Sequence, residues 1–332
     1  MKLVTFRHAG ADRVGALVDG EQVLDLLALA ERARSVHAPA YVTMLALIRA
    51  GDAALQEARR LLADRDAAAA ALPRSAIELR APLPLPEQIR DFANYELHVQ
   101  QALKSSMRLR AATEADPAAA LERLQASGMF VIPPVWYERP LYYKCNRFSV
   151  VGPDAEIEWP PFAERMDYEM ELAVVIGRRV KDASVDEAMA AVFGYTIYND
   201  FSARDVQAQE SAFRMGPAKG KDFDTGNAIG PCIVTRDEIA DPYALRMRVS
   251  VNGRVRAETV AGGMQHDIAR CISFLSQSET LHPGEVLAMG TVGNGCGYES
   301  LRFLDDGDVV EIEVDRIGRL RNRLVKRQRS TK

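Results

Sequence analysis

Three acidic residues alternate with apolar and aromatic ones in the segment DYEMELAVVIG, which begins at Asp167. The β-branched run that follows, closed by Gly177, is typical of a β-strand that ends at a turn. Side chains alternate across a strand, so Asp167, Glu169 and Glu171 would share one face, with neighbouring carboxylates ~7 Å apart. Like charges at this separation need water, a shared proton or a bound cation. The segment alone therefore leaves open an exposed strand face or a metal site.

A further acid lies at the end of the next predicted strand, in GYTIYNDFSARDVQ. This strand ends at Asn199 and Asp200, before a polar turn. An acid in that position could supply another oxygen ligand to a cation. The alternative is a helix N-cap for SARDVQ, which Asp200 or Ser202 could provide. Without other ligands, the cap is the favoured interpretation.

Two glycine-rich stretches and one histidine also carry candidate functional groups. The loop GPAKGKDFDTGNAIGP contains two lysines, and a lysine beside several carboxylates could stabilise a developing oxyanion. The alternative is a solvated, flexible loop. MGTVGNGCGYES lacks the order of a phosphate or dinucleotide loop. Among the histidines, His98 in DFANYELHVQQ lies in polar surroundings, but a lone histidine is more often structural.

Composition excludes several classes of protein. The chain has 332 residues, a net charge of −4 and 48% hydrophobic residues, which is typical of a globular protein and gives no argument for nucleic-acid binding. The basic stretch GRLRNRLVKRQRSTK is interpreted as a solvated tail. No apolar run approaches the roughly 20 residues of a membrane span. The scattered cysteines, without CxxC spacing, predict reduced thiols in a cytoplasmic protein and no zinc site.

Strand patterns dominate the second half of the chain. They are predicted at 171–177, 193–199, 229–235, 246–251, 285–289 and 308–314, with helices near 184–192 and 264–278. Strands outnumber helices and do not alternate with them regularly. This favours an α+β, β-rich fold over a doubly wound nucleotide fold.

The first half of the chain predicts a separate module. It begins with strands and a hairpin turn at Asp19-Gly20, followed by helices near 41–50 and 53–71 with a break at Gly51-Asp52. The proline-rich segment 81–90 predicts a linker, which divides the chain into an N-terminal module, 1–84, and a main domain, 85–332. A helix begins near Tyr95, an alanine-rich helical insertion follows at 112–127, and VIPPVWYERP is predicted to be extended.

In this order, DYEMELAVVIG, GYTIYNDFSARDVQ, KGKDFDTGNAIGP and GTVGNGCG resemble the motifs of the fumarylacetoacetate hydrolase family, over roughly residues 85–325. The resemblance implies a mixed β-sheet roll or sandwich core with a small N-terminal α/β module. It also implies a divalent metal, Mg²⁺ or Mn²⁺, with Ca²⁺ as a substitute in a crystal. The implied metal ligands are Glu169, Glu171 and Asp200.

The resemblance also implies roles for residues outside the metal site. His98 would be the general base, on a helix that covers the site, and Lys221 rather than Lys219 the catalytic lysine. Asp167 is expected to support the ligands, and Arg204 to be structural, paired locally with an acid. The implied substrate-binding residues are Gln207, Thr291 and Tyr95.

One position departs from the family pattern. Many members place a glutamate one turn after the histidine, where this chain has Gln101. An amide cannot raise the basicity of His98 as a carboxylate would. Glu96 or Glu299 could replace it, and the sequence does not show which.

The resulting functional prediction is a metal-dependent hydrolase that cleaves a carbon–carbon bond in a β-diketo acid of the fumarylacetoacetate or acylpyruvate type. The alternatives are a hydratase, decarboxylase or isomerase of a 2-oxo acid at the same site, because a fold does not fix a reaction. A catalytically silent 2-oxo-acid-binding protein is a further alternative. The expected partner is a small 2-oxo or diketo acid, with no nucleic acid and no membrane, and the expected assembly is a homodimer.

Overall fold

The computed structural model describes residues 1–64, 67–213 and 216–327. In chain order, the strands are β1 (Lys2–His8), β2 (Ala11–Val18), β3 (Gln22–Asp25), β4 (Ala71–Pro73), β5 (Glu78–Leu79), β6 (Ile89–Phe92), β7 (Tyr142–Cys145), β8 (Val150–Val151), β9 (Glu156–Glu158), β10 (Met166–Asp167), β11 (Met170–Ile176), β12 (Val192–Asp200), β13 (Ser202–Ala203), β14 (Asn227–Thr235), β15 (Arg246–Val251), β16 (Arg254–Val260), β17 (Val286–Ala288), β18 (Val309–Val314) and β19 (Gly318–Val325). The α-helices are α1 (Leu26–Arg32), α2 (Met44–Leu62), α3 (Glu96–Ala111), α4 (Pro117–Ala126), α5 (Pro134–Glu138), α6 (Val185–Ala188), α7 (Arg204–Ala212) and α8 (Ile268–Ser276).

A 12-stranded mixed sheet runs through the molecule, with the main order β4-β3-β2-β1-β14-β12-β11-β17-β6-β7. The predicted hairpin is confirmed: Asp19 and Gly20 have φ of 51° and 74° and connect β2 to β3. β1 pairs with β14, with Leu3 opposite Ile233, so the N-terminal strands continue the central sheet. The division at residues 84 and 85 stays a prediction.

The centre of this sheet is buried on both faces. On β11, Leu172 and Val174 belong to a core cluster shared with the five-stranded sheet β16-β15-β18-β19-β9. Ala173 and Val175 belong to a second cluster, which includes residues of α1 and α2. The apolar run LAVVI therefore has one sheet on one side and helices on the other. This β-rich, mixed α+β architecture confirms the predicted fold class.

Several predicted elements have different bounds in the structure. The helix predicted at 53–71 ends at Leu62, because the chain turns to form β4, which pairs with β3; residues 65–66 of that prediction lie outside the described residues. The predicted break in this helix is confirmed at Gly51, where φ is 67°. The segment predicted to be extended before β7 contains α5, because Trp136 is buried there and its Nε1 donates to the Ala93 carbonyl.

The predicted solvated tail and the helix predicted at 184–192 are also corrected. β19 occupies most of the basic stretch, and Leu320, Asn322 and Leu324 are buried while the arginines alternate outward. Residues 328–332 of that stretch lie outside the described part of the chain. The helix predicted at 184–192 is the single turn α6 followed by a 3-10 turn, because β12 already begins at Val192. The alanine-rich insertion is helical, as α4. No helix in the described ranges is long and apolar enough to cross a membrane.

Candidate active site

Four carboxylates converge at one edge of the central sheet. β12, β11, β17 and β6 are adjacent, and antiparallel pairing brings the end of β12 beside the start of β11. The ends of β17 and β6 reach the same edge, with Ala288 opposite Asp91. The residues gathered there are Asp91, Glu169, Glu171 and Asp200, all buried.

Three of these acids form a compact group. Oxygen atoms of Asp91, Glu169 and Asp200 all lie within 4.8 Å of one another. Glu171 adjoins them, with Oε2 accepting from the Gly290 N–H at 3.0 Å and Oε1 from the Thr291 hydroxyl at 3.1 Å. The structure thus brings the predicted acids together and adds Asp91, which the sequence interpretation missed. The available signal was an acid inside the buried strand IRDF, seven residues before His98.

Lys221 is buried among these acids. Its Nζ donates to both Glu169 and Asp200, whereas Lys219 extends over the Phe162 ring at 5.3 Å. Burial lowers the pKa of Lys221, but the carboxylates of Asp200 and Glu169 raise it by more. The lysine therefore stays protonated, and the alternative of a solvated loop does not describe this residue.

The structure corrects the prediction that Arg204 pairs with an acid close to it in sequence. Its acidic partners are distant in sequence: Nε donates to Asp167 at 2.8 Å and Nη2 to Glu169 at 2.7 Å. Nη1 donates to the Gln207 side chain at 3.0 Å, so the arginine orients a predicted substrate-binding group. The N-cap interpretation is also wrong, because Ala203 is the N-cap of α7 and makes no side-chain cap bond.

Negative charge exceeds positive charge in this cluster. Two cations, Arg204 and Lys221, face five buried carboxylates: Asp91, Asp167, Glu169, Glu171 and Asp200. Among the described residues, the Oδ1 atoms of Asp91 and Asp200 have no hydrogen-bond partner. Burial and the Asp200 charge raise the pKa of Asp91, and burial and the Asp91 charge raise that of Glu171. Orphaned carboxylate oxygens with excess negative charge fit a divalent cation with a preference for oxygen ligands.

His98 is paired with the acid that replaces the expected dyad glutamate. Its Nδ1 lies 2.9 Å from Glu299 Oε1, and the Glu299 carboxylate is fixed by the N–H groups of Asn294 and Cys296. Gln101 instead donates to Asn294 Oδ1 at 2.8 Å. Of the two replacements open in the sequence, the structure selects Glu299, which is distant in the chain and so carries no local spacing signal.

A cavity of about 1070 Å³ lies against both the carboxylate cluster and His98. Its wall includes six of the predicted site residues: His98, Glu169, Glu171, Gln207, Lys221 and Thr291. Asp200 lies behind this wall, within hydrogen-bonding distance of the Tyr143 hydroxyl. Tyr95 is not brought to the cavity, because its buried hydroxyl donates to the Ala261 carbonyl at 2.6 Å. Tyr143 was missed, and its sequence YYKC carries no functional signal.

Asp91, Glu169, Glu171 and His98 line one cavity, and His98 is paired from behind with Glu299. A carboxylate cluster and a general base of this kind occur together in enzymes that use a divalent metal. The sequence model described as "Fumarylacetoacetate (FAA) hydrolase C-terminal" matches residues 87–325. The chain belongs to the fumarylacetoacetate hydrolase family, whose members include hydrolases, isomerases and tautomerases.

Relatives and solved structures extend this assignment over nearly the whole chain. Oxaloacetate tautomerase Fahd2a of Rattus norvegicus is 32% identical over 285 residues, covering 85% of this chain and 80% of the relative. Oxaloacetate tautomerase fahd2 of Xenopus laevis is 32% identical and covers 98% and 90%. The fumarylacetoacetate hydrolase structure from Exiguobacterium antarcticum superposes with a TM-score of 0.73 at 27% identity, covering 98% and 100%. The 5-carboxymethyl-2-hydroxymuconate delta-isomerase of Mycobacterium smegmatis gives 0.66 at 25%, covering 98% and 100%.

Proposed function

We propose that this protein hydrolyses a carbon–carbon bond in a β-diketo acid of the acylpyruvate type. The observation that carries the proposal is the His98–Glu299 pair, which supplies a general base in the same cavity as the carboxylate cluster. The sequence left that base without a defined acidic partner. The presence of this acidic partner, Glu299, favours water activation by His98 and weakens the case for a silent binding protein.

The proposed cation is Mg²⁺ or Mn²⁺, because both prefer carboxylate and water oxygens. Asp91, Glu169, Glu171 and Asp200 would hold it. When bound, the cation supplies Lewis-acid polarisation of the substrate's oxo and carboxylate oxygens. Arg204 and Lys221 fix the Glu169 carboxylate from two sides.

His98 acts on water in this proposal. In the proposed neutral tautomer, His98 Nδ1–H donates a hydrogen bond to Glu299 Oε1, which leaves the Nε2 lone pair available to take a proton. His98 removes a proton from water, whose oxygen adds to the distal carbonyl carbon. The bond from that carbon to the neighbouring CH₂ carbon then breaks, and the electron pair moves onto the departing 2-oxo acid as an enolate. The proton held by His98 returns to the enolate carbon, so the products are two carboxylic acids.

Lys221 and Gln207 provide the positive and polar groups for this charge movement. Lys221 carries a charge under ordinary conditions, because nearby carboxylates raise its pKa. A fixed ammonium in a buried site stabilises negative charge that develops on the substrate oxygen. Thr291, whose hydroxyl lies against Glu171, is positioned to contact a substrate oxygen at the cluster.

A second candidate is tautomerisation of a short 2-oxo acid. It is favoured by the two oxaloacetate tautomerases that are 32% identical to this chain. The same base would transfer a proton between carbon and oxygen, without breaking the carbon skeleton. Hydration and decarboxylation use similar enolate chemistry but have no separate observation in their favour.

Turnover measurements on a small panel of substrates distinguish hydrolysis from tautomerisation. The purified protein is incubated with 2,4-diketo acids and with oxaloacetate, in Mg²⁺, in Mn²⁺ and in EDTA, with products identified by NMR. Metal-dependent formation of two acids supports hydrolysis. Faster keto–enol exchange of oxaloacetate with intact diketo acids would reject hydrolysis in favour of the tautomerase. His98→Gln is the matched variant, because it keeps a hydrogen-bonding side chain and removes the base.

We also propose a cytoplasmic homodimer without nucleic-acid or membrane partners. Two-fold symmetric dimers are the commonest soluble assemblies, and a net charge of −4 does not favour nucleic acid. Light scattering on the purified protein tests the dimer, and a monomeric mass would reject it.

A further inference from the structure

A nitrogen, a sulfur and an oxygen donor meet at the general base. The Nδ1 atom of His98 lies 2.9 Å from Glu299 Oε1 and 3.9 Å from the sulfur of Cys296. One donor atom from each of these residues lies within 4.8 Å of the other two. We call them the His98–Cys296–Glu299 group. Its buried thiol is the one member to which the proposed reaction gives no part.

A second cavity, of about 230 Å³, also reaches this group. Its wall includes Cys296 and Glu299, whereas His98 lines the active-site cavity. Asn294 and Arg302, on the wall of the second cavity, are exposed, so this cavity opens to solvent. An ion can therefore approach the thiol and the carboxylate without passing through the active-site cavity.

The spacing of the three donors suits a tetrahedral zinc ion. Zinc binds nitrogen and oxygen at ~2.0–2.2 Å and thiolate sulfur at ~2.3 Å, so neighbouring donors lie roughly 3.3–3.6 Å apart. The 2.9 Å between His98 and Glu299 and the 3.9 Å between His98 and Cys296 lie on either side of that range. Small side-chain rotations would bring the three donors to zinc distances, and the second cavity has room for a water as the fourth ligand.

The donor types distinguish this group from the inner carboxylate cluster. The inner carboxylate cluster consists of Asp91, Glu169, Glu171 and Asp200. Its oxygen atoms suit Mg²⁺, whereas imidazole and thiolate suit Zn²⁺. After loss of the thiol proton, Cys296 and Glu299 carry two negative charges, which balance one divalent ion. The sequence argument against zinc concerned paired cysteines, and this group uses a single one.

We infer that the His98–Cys296–Glu299 group is an inhibitory site for Zn²⁺. The ion binds His98 Nδ1, the Cys296 thiolate and a Glu299 oxygen, and the thiol proton is released to solvent. A neutral imidazole carries one proton, so with the metal on Nδ1 that proton lies on Nε2. Nε2 is then unable to take a proton from water. The inference rests on the proposed function, which makes His98 the base.

The first test is spectroscopic and uses Cd²⁺, because cadmium thiolates absorb in the near ultraviolet. Protein saturated with Mg²⁺ is titrated with Cd²⁺. The matched control is Cys232→Ser, which removes a buried thiol bonded to the Ile317 carbonyl. We expect one equivalent of thiolate absorption in the parent and in Cys232→Ser, and none in Cys296→Ser. His98→Gln keeps the thiol but removes the nitrogen ligand, so its titration should weaken without losing the absorption at saturation.

The second test measures inhibition of turnover by Zn²⁺ in excess Mg²⁺. Each protein is compared with its own rate in Mg²⁺ alone, which separates inhibition from any effect of the substitution on the reaction. Loss of an outer partner of a metal ligand costs ~10–100-fold in affinity, and loss of a ligand should cost at least as much. We therefore expect Cys296→Ser to raise the Zn²⁺ concentration for half inhibition by about tenfold or more, and Cys232→Ser to leave it unchanged.

Several outcomes would overturn this site. It is wrong if thiolate absorption persists in Cys296→Ser, or if Cd²⁺ binds the thiol but Zn²⁺ does not inhibit. Inhibition that is equal in the parent and in Cys296→Ser, and is relieved by more Mg²⁺, would place the Zn²⁺ in the inner carboxylate cluster instead. If the parent cleaves no diketo acid, the proposed hydrolysis fails, and the Cd²⁺ titration still decides whether the group binds a metal.

Discussion

The inner carboxylate cluster and the His98–Cys296–Glu299 group are built on different principles. In the cluster, the acids come from adjacent strands of a buried sheet, and each basic side chain beside them is held by two carboxylates. In the group, a nitrogen from α3 meets a sulfur and an oxygen from the segment after β17, which a second cavity also reaches. Oxygen donors suit Mg²⁺ or Mn²⁺, whereas thiolate and imidazole suit Zn²⁺. We therefore expect substitutions in the cluster to lower turnover in Mg²⁺, and Cys296→Ser to relieve inhibition by Zn²⁺.

The largest effect is expected from Asp200→Ala. It removes a buried carboxylate that lies against Lys221 and the other acids, so metal-dependent turnover should fall by about a thousandfold or more. Steady-state kinetics with Mg²⁺ measures this, and circular dichroism shows whether the variant is folded. Asp186→Asn, an exposed acid in α6, is the control and should retain full activity. Unchanged turnover in a folded Asp200→Ala protein would reject the inner cluster as the site.

The second-largest effect is expected from a substitution in the His98–Glu299 pair. Glu299→Gln keeps the shape of the side chain but removes the charge that orients His98, and kcat should fall by roughly 10²-fold. Gln101→Glu restores the glutamate that many family members have at this position, and it should give no gain because Glu299 already fills the role. A fully active Glu299→Gln protein, or a Gln101→Glu protein with much higher kcat, would show that the dyad was assigned to the wrong acid.

Metal affinity should depend on pH. The pKa values of Asp91 and Glu171 are raised in the protein, so these groups keep protons at higher pH than ordinary carboxylates. A cation must displace those protons, so affinity should weaken as pH falls, by up to about tenfold per pH unit for each proton displaced. Calorimetric titration of Mg²⁺ in buffers of different ionisation enthalpy counts the protons. A Mg²⁺ affinity that stays constant through the weakly acidic range would contradict a metal site that includes the Asp91 and Glu171 carboxylates.

The smallest effect is expected from Tyr95→Phe. The Tyr95 hydroxyl donates to the buried Ala261 carbonyl, and its loss should cost about 1–2 kcal/mol of the free energy of unfolding. Both kcat and KM should stay within about twofold, because this hydroxyl lies away from the cavity wall. Thermal denaturation and kinetics on the same sample measure both. A large rise in KM with normal stability would restore the substrate-binding role that the sequence suggested.

The sequence predicts the inner carboxylate cluster better than the rest of the active site, for a physical reason. Glu169 and Glu171 lie beside and on β11, and alternation along a strand places their side chains on one face without tertiary information, whereas Asp200, on another strand, was assigned as a ligand only through the resemblance. Lys221 and His98 could be identified only through the resemblance, because a lone lysine or histidine has many structural roles. The pairing of Glu299 with His98 joins residues about two hundred positions apart, and no local pattern encodes that contact.

The contact between Cys296 and His98 could not be predicted for a related reason. Cys296 lies in a glycine-rich stretch, without the CxxC spacing that indicates a metal site. Its position beside the histidine depends on how α3 packs against the segment after β17, which is set by contacts distant in sequence. The same limit explains why Asp91 and Tyr143 were missed. Asp91 lies on β6 and Tyr143 on β7; β6 pairs with both β17 and β7, and these pairings exist only in the folded protein.

Isotope labelling tests the proposed reaction most directly. The protein is incubated with a 2,4-diketo acid and Mg²⁺ in H₂¹⁸O, and the products are examined by mass spectrometry and NMR. Hydrolysis predicts two acids, with one new ¹⁸O atom in the carboxylate formed from the cleaved carbonyl, and no products when Glu169 is replaced by Gln. An intact carbon skeleton with faster keto–enol interconversion in the NMR spectrum would contradict hydrolysis and identify a tautomerase.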